Sequence, residues 1–229
     1  MKRLFVLVVS LIVAATAVSA QTSDNIKEQR AIIKERKEMS RLTKKQLNAR
    51  VAKTTKDAMK TFKKEGWKVA VGALPLEKQL DRTYNMLYEF EAADLPRYIM
   101  GEATAISTNY DAAKMQALEL AKINLAGMMQ TEITALVEST VSNQQISSTD
   151  AVALTESVMS SKNLISQSLG RVIPVIECYR TSKNGMTEVR VQIAYSYKAA
   201  AEAAKSAMKA DLEKKGQNLH EQLDKVLGF

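Results

Sequence analysis

Few residues in this chain are suited to chemistry. It has one histidine, His220, and one cysteine, Cys178. A metal site needs clustered His, Cys or carboxylate ligands, and these two lie far apart in the sequence. A Ser-His-Asp or Cys-His arrangement would have to use that same His220, and no Gly-x-Ser-x-Gly elbow accompanies it. His220 sits between Leu219 and Glu221 in a helical stretch, the setting of a solvated surface histidine. Cys178 lies in Val175-Ile176-Glu177-Cys178-Tyr179, which reads as a strand and predicts a buried, inert thiol. One thiol cannot close an intramolecular disulfide, so the core alone must hold the fold. With eight glycines in all, the chain shows neither a phosphate loop nor a dinucleotide fingerprint.

Paired carboxylates are enough for a glycosidase. Glu89, Glu91 and Asp94 cluster just before Pro96, but three acids in a loop are ordinarily solvated. A sugar-cleaving cleft also needs aromatic walls, and aromatics make up only 5% of the chain. Trp67 with Tyr84 and Tyr88 could form a small aromatic patch, although core packing is the simpler role. The expectation is therefore no catalytic residue, no cofactor and no metal: not an enzyme. The alternative is an enzyme acting on an envelope polymer through acids such as Glu89 and Asp94.

Charge is a stronger signal. Residues 21–65 hold 14 Lys/Arg and 6 Asp/Glu, a net of +8. Without Lys2 and Arg3 the chain has 31 basic and 25 acidic residues, a net of +6, which leaves −2 for everything after residue 65. The basicity thus belongs to an N-terminal arm. A positive helix attracts anionic headgroups, lipopolysaccharide phosphates or another acidic polymer over long range. The candidate contacts are Lys34, Arg36, Lys37, Arg41, Lys44, Lys45 and Arg50. The competing role is a solvated helix whose charge aids solubility, or one that pairs with the C-terminal helix.

Lys2 and Arg3 precede an apolar run from Leu4 to Val13, followed by small residues ending in Val18-Ser19-Ala20. This order describes a secretory signal peptide over residues 1–20. The apolar core spans ~10 residues, against the ~20 that a membrane-spanning helix requires. No Cys lies near the cut to carry a lipid. The expectation is an exported protein, periplasmic or envelope-associated, with no transmembrane span after cleavage and no nucleic-acid partner.

These residues must be positioned by a small set of elements, divided as a basic helical arm (21–65), an α+β core domain (66–197) and a C-terminal helix (198–229). From Asp24 to Glu65 there is neither Pro nor Gly, which predicts one long helix, or two with a break near Ser40-Arg41. Its apolar stripe (Ile26, Ile33, Leu47, Val51, Ala58, Phe62) is thin, so the helix projects from the core or lies across it. Gly66 ends it. Trp67 to Val71 alternates like a short strand, and Pro75 to Phe90 reads as a helix with Leu76, Leu80, Tyr84 and Leu87 on one face.

A strand over Tyr98–Ile106 places Gly101, Ala103 and Ala105 on one face, where small residues let a helix come close. Asn109 caps a helix running to Val141, whose Ala113, Ala117, Ala121 and Leu125 form an i, i+4 ladder extended by Met128 and Met129. Thr149 or Asp150 caps a shorter helix ending near Ile165. Strands over Leu169–Tyr179 and Thr187–Tyr197 follow, joined through Asn184-Gly185, a two-residue hairpin signal. Pro174 marks an edge or bulge. The last helix is Ala-rich, is bent or interrupted at Gly216, and carries Leu212, Leu219, Leu223 and Val226 as a seam. The fold class is α+β: a small, mostly antiparallel sheet of three or four strands, covered on one face by a long Ala-rich helix, with helical extensions at both termini.

The small-residue strand Gly101-Glu102-Ala103-Thr104-Ala105, the alanine ladder and the hairpin ending in Val189-Arg190-Val191-Gln192-Ile193 come in a particular order. Over roughly residues 98–197 that order resembles the envelope domain of Helicobacter twenty-kilodalton-type lipoproteins and of the flagellar T-ring protein N-terminus. The chain departs from it in having no lipidated Cys and in an insertion at about 142–168. The whole chain is also similar to secreted Bacteroidetes proteins with no assigned activity. The resemblance implies an envelope accessory or assembly role without catalysis and supplies no site residues. A further alternative is a structural protein that self-associates through its long terminal helices.

Overall fold

A computed structural model describes residues 27, 30–31, 34–39, 41–42, 44–91, 95–143, 145–182, 184–216 and 219–227. The segment at 1–20 expected to be a signal peptide lies outside them, as do Ile26 and Ile33 of the arm's stripe. The elements are α1 (Lys44–Lys64), α2 (Leu76–Leu87), β1 (Tyr98–Ser107), α3 (Tyr110–Ser142), α4 (Ser148–Ser160), α5 (Lys162–Ser168), β2 (Ile173–Thr181), β3 (Thr187–Ser196), α6 (Tyr197–Lys214) and α7 (His220–Leu227). The strands form one antiparallel sheet in the order β1-β3-β2. Among the described residues no helix is long and apolar enough to cross a membrane.

The sheet and α3 meet through small residues. Asn109 Oδ1 accepts the Ala112 N–H at 2.9 Å and starts α3, with Asp111 in the first turn. Ala113, Ala117, Ala121 and Leu125 are then fully buried. The contact is so close that a Cβ on Gly101 would lie 2.2 Å from the Ala121 carbonyl oxygen and 2.8 Å from Leu125 Cβ. Val189, Val191 and Ile193 of β3 complete this core, with Met129, Ile133 and Val137 further along α3. Burying each such large aliphatic side chain contributes about 2 kcal/mol.

The C-terminal extension belongs to the same core. Ser196 Oγ accepts the Ala199 N–H and turns β3 directly into α6, whose Ala200, Ala204 and Met208 are buried. Gly216, at φ 68°, separates α6 from α7, and the expected seam of Leu212, Leu223 and Val226 packs inward, with Leu219 half-buried.

Several elements differ from the expectation. Trp67–Val71 is not a strand: Lys68 forms one bridge, exchanging N–H···O bonds of 2.8 Å with Tyr179 on the outer edge of β2. Trp67 turns inward and Val71 outward, so the alternation marked an edge cover. Gln79 reinforces that cover, its Oε1 accepting the Glu177 N–H at 2.7 Å. An edge strand is thereby blunted. Pro174 sits at the bulge between Pro174 and Ile176, as expected of a proline in an edge strand.

The helix expected to run to Ile165 is two helices, α4 and α5, broken at Ser161, whose hydroxyl bonds back to the Ser157 carbonyl at 2.5 Å. Its cap is Ser147, not Thr149 or Asp150. Four cap-competent residues stand in a row, and burial of Ala151, Leu154 and Val158 selects the frame. The hairpin keeps its Asn-Gly but not the two-residue turn. Gly185 N–H donates to Ser182 O and Ser182 N–H to Met186 O, giving a longer connection that closes on Gly185 at φ 78°.

The sheet is covered on both faces rather than one. Opposite α3, Met86 of α2 packs with Met100, Val175 and Ala194. Beside it, Phe62, Trp67, Leu76 and Leu80 pack on Ile176 and Cys178. Gln79, Thr83 and Met86 lie on the buried face of α2, while Tyr84 and Leu87 are only half-buried, so that face is rotated from the expected stripe.

Candidate functional site

Residues 34–39 are helical, Arg41 and Leu42 form a turn, and α1 begins at Lys44, so the arm is two helical pieces broken where Ser40-Arg41 suggested. Gly66 terminates α1 at φ 80°, and Lys63 and Lys64 occupy the last turn, where positive charge suits the helix dipole. One face of α1 is fixed. Val51, Thr55 and Phe62 are buried, and the Thr55 hydroxyl donates to Asp81 Oδ1 on α2 at 2.6 Å. The arm lies across the body, not away from it.

The opposite face is solvated and basic. Lys53, Lys56, Lys60 and Lys63 recur at i, i+3, i+7 and i+10, which places them along one side of the helix. With Asp57, Met59 and Glu77 they line a groove of about 470 Å³ between α1 and α2. Lys60 pairs with Asp57 at 3.3 Å, both well exposed, a geometry that contributes little and leaves the ammonium accessible. Four cations against two anions give the groove a net positive field. It can attract phosphate or carboxylate groups without fixing one geometry, because ammonium groups on flexible stems act as point charges.

Of the contacts named from the sequence, Lys34, Arg41, Lys45 and Arg50 are exposed. Lys44 opens α1. Lys37 is half-buried and already partnered. Arg36 is only 5% exposed, so it is not a surface contact. Burial lowers its pKa, with the charges of Glu132 and Tyr88 pulling the other way. Glu132, on α3, is 7% exposed. Burial raises its pKa, opposed by a hydrogen bond from Tyr197 and by the Arg36 charge. The Tyr197 hydroxyl is itself pushed up by burial and by Glu132. Arg36 Nε and Glu132 Oε2 both lack a hydrogen-bond partner. Arg36 is thus buried within electrostatic reach of Glu132 on α3 and is not a surface contact. The ridge at Lys53, Lys56, Lys60 and Lys63 was missed, although its spacing was visible in the sequence.

The remaining candidates for chemistry are placed as follows. Cys178 is fully buried, and burial pushes its thiol up to about 12, so it stays protonated. His220 is half-buried, 3.8 Å from Glu213. No group of three or more His, Cys, Asp or Glu is arranged to hold a metal among the described residues. Glu89 pairs with Arg97 at 3.3 Å, Glu91 is exposed, and Asp94 lies outside the described residues. Trp67 stacks at 6.3 Å on Phe62 beneath Arg180, with Tyr84 against the same cluster, whereas Tyr88 lies near Arg36. On the α3 side of β2, Glu177 accepts bonds from Tyr110 and from Lys114, the latter at 2.8 Å. Those bonds tie the first turn of α3 to the sheet. No family model, curated protein or solved structure matches the chain.

Proposed function

We propose that this protein is an exported, non-catalytic accessory or interaction protein of the bacterial envelope, which contacts anionic envelope components through its basic N-terminal helix. The observation that carries the proposal is the lysine ridge: four ammonium groups face a groove while the other side of α1 is locked onto α2. A helix so held presents charge without inserting an apolar face into lipid, so the contact is electrostatic and sensitive to salt. Lys45 and Arg50, exposed on the same helix, extend the surface. The resemblance of residues 98–197 to envelope domains agrees with this role.

The test uses sedimentation with phosphatidylglycerol vesicles and with phosphatidylcholine vesicles at low and high salt. The chain should bind the anionic vesicles alone and be released as salt rises. The variant carrying K53Q, K56Q, K60Q and K63Q should lose most of that binding. Equal partitioning of the parent chain and the variant would reject the ridge as the contact surface.

A further inference from the structure

A second surface has the opposite character. Between residues 123 and 161 the chain contains Glu132, Glu138, Asp150 and Glu156 and not one Lys or Arg, within a protein whose net charge is +8. This stretch builds the C-terminal half of α3 and all of α4, which double back on each other through the short connection at 143–147. Between the two helices runs an open groove of about 440 Å³. Val141 from α3 and Val152 from α4 supply its accessible apolar wall over a floor of buried Val137 and Ala151, and Glu138 and Glu156 stand on its rim.

The lining is periodic. Val137 and Val141 are four residues apart, as are Ala151 and Thr155, so each helix contributes an i, i+4 ridge. Grooves between such ridges are what a further helix packs into. In the groove Val152 is 60% exposed, and beyond its lining Met159, one heptad further on α4, is 55% exposed. Glu132 is withdrawn into the core beside Arg36, so Glu138, Asp150 and Glu156 are left to set the field of this face.

We propose that the α3–α4 groove docks an amphipathic helix of a partner protein, one with an apolar stripe flanked by Lys or Arg. The apolar wall would bury the stripe, and the rim glutamates would select the flanking cations. The chain's own α1 does not fit this description, because its apolar side is already buried against α2 and only its lysines face outward. An anionic membrane is disfavoured by the sign of the rim.

The experiment uses the full chain and two synthetic 14-residue helices with the same leucine stripe, one flanked by lysine and the other by glutamate. Amide hydrogen exchange should show slowing across residues 136–159 with the Leu/Lys peptide and not with the Leu/Glu peptide. E138K/E156K should weaken the Leu/Lys peptide at least tenfold at low salt. Val152→Asp, at an exposed position, should abolish binding while leaving the thermal unfolding midpoint unchanged. Protection elsewhere, or equal binding of both peptides, would overturn the proposal. So would protection of the groove by a second copy in the peptide-free chain.

Discussion

The two layers that cover the sheet are built on different physics. On one face, α3 sits on β1 and β3 through glycine, alanine and aliphatic side chains, with no room for a single Cβ on Gly101, while its first turns add a charged bond from Lys114 to Glu177 of β2. On the other side and along the arm, apolar packing is joined by polar and charged attachments. Thr55 bonds Asp81, Arg180 lies 4.5 Å over Trp67, Arg190 lies 5.2 Å over Phe62, and Arg36 is buried near Glu132. The first layer is specified by shape and should respond to volume. The second adds charged contacts to its apolar packing, so pH should reach it where the contact of α3 with β1 and β3 is indifferent.

Gly101→Val should have the largest effect. The three carbons of an isopropyl group forced into the backbone of α3 cost about 3 kcal/mol, read as a lower urea midpoint that is independent of pH and salt. A smaller loss would mean that α3 can shift, and that the shape-specified layer is softer than its geometry implies.

Arg36→Met tests the second layer and should cost about 2 kcal/mol at neutral pH, less than a rigid buried pair would lose, because Glu132 can take up a proton. The sign follows from the raised Glu132 pKa. A carboxyl whose folded pKa is raised favours folding most at pH below its unfolded value, and that contribution is lost as pH rises through the raised folded value. The cost of Arg36→Met should therefore shrink as pH falls and Glu132 becomes neutral in both proteins. A pH-independent cost, measured by thermal unfolding between acid and neutral pH, would break the assignment of Glu132 as the partner.

Asp211 carries the opposite pKa shift, yet the cost of losing it also fades in acid. Burial pushes its carboxyl up, but hydrogen bonds from Lys215, Ser160 and Ser157 outweigh burial and hold its pKa below the usual carboxylate value. Its contribution is present above that value and lost as pH falls. Asp211→Asn should cost about 1 kcal/mol at neutral pH, with the deficit fading as the solution is made acid. The same unfolding series reads both costs.

The smallest effect sharpens the comparison most. Neutralising Lys53, Lys56, Lys60 and Lys63 together should change stability by no more than ~0.5 kcal/mol, because these side chains are solvated, while removing the vesicle binding proposed above. A large loss of stability would make the ridge part of the scaffold.

Much of this architecture could be read from the residues. The cap at Asn109, the alanine ladder, the alternation of β3 and the stop at Gly66 all stand where local sequence places them. Each depends on groups within a turn or two of each other, where sterics and hydrogen bonding act regardless of the rest of the chain. The candidate site was legible only in part. The positive charge of the arm is a matter of composition, and the ridge is a matter of spacing, but the burial of Arg36 is decided by segments far along the chain.

Sequence alone determined the helices of α3 and α6, the β2–β3 hairpin and the concentration of positive charge before residue 65. Tertiary structure decided which basic residue turns inward, that Trp67–Val71 covers an edge without joining the sheet, and that both sheet faces are buried. The physical reason is the range of the forces involved. Helix and strand periodicity is set by neighbours along the chain, whereas the cost of burying a charge or exposing an edge is settled only by whatever distant segment packs against it.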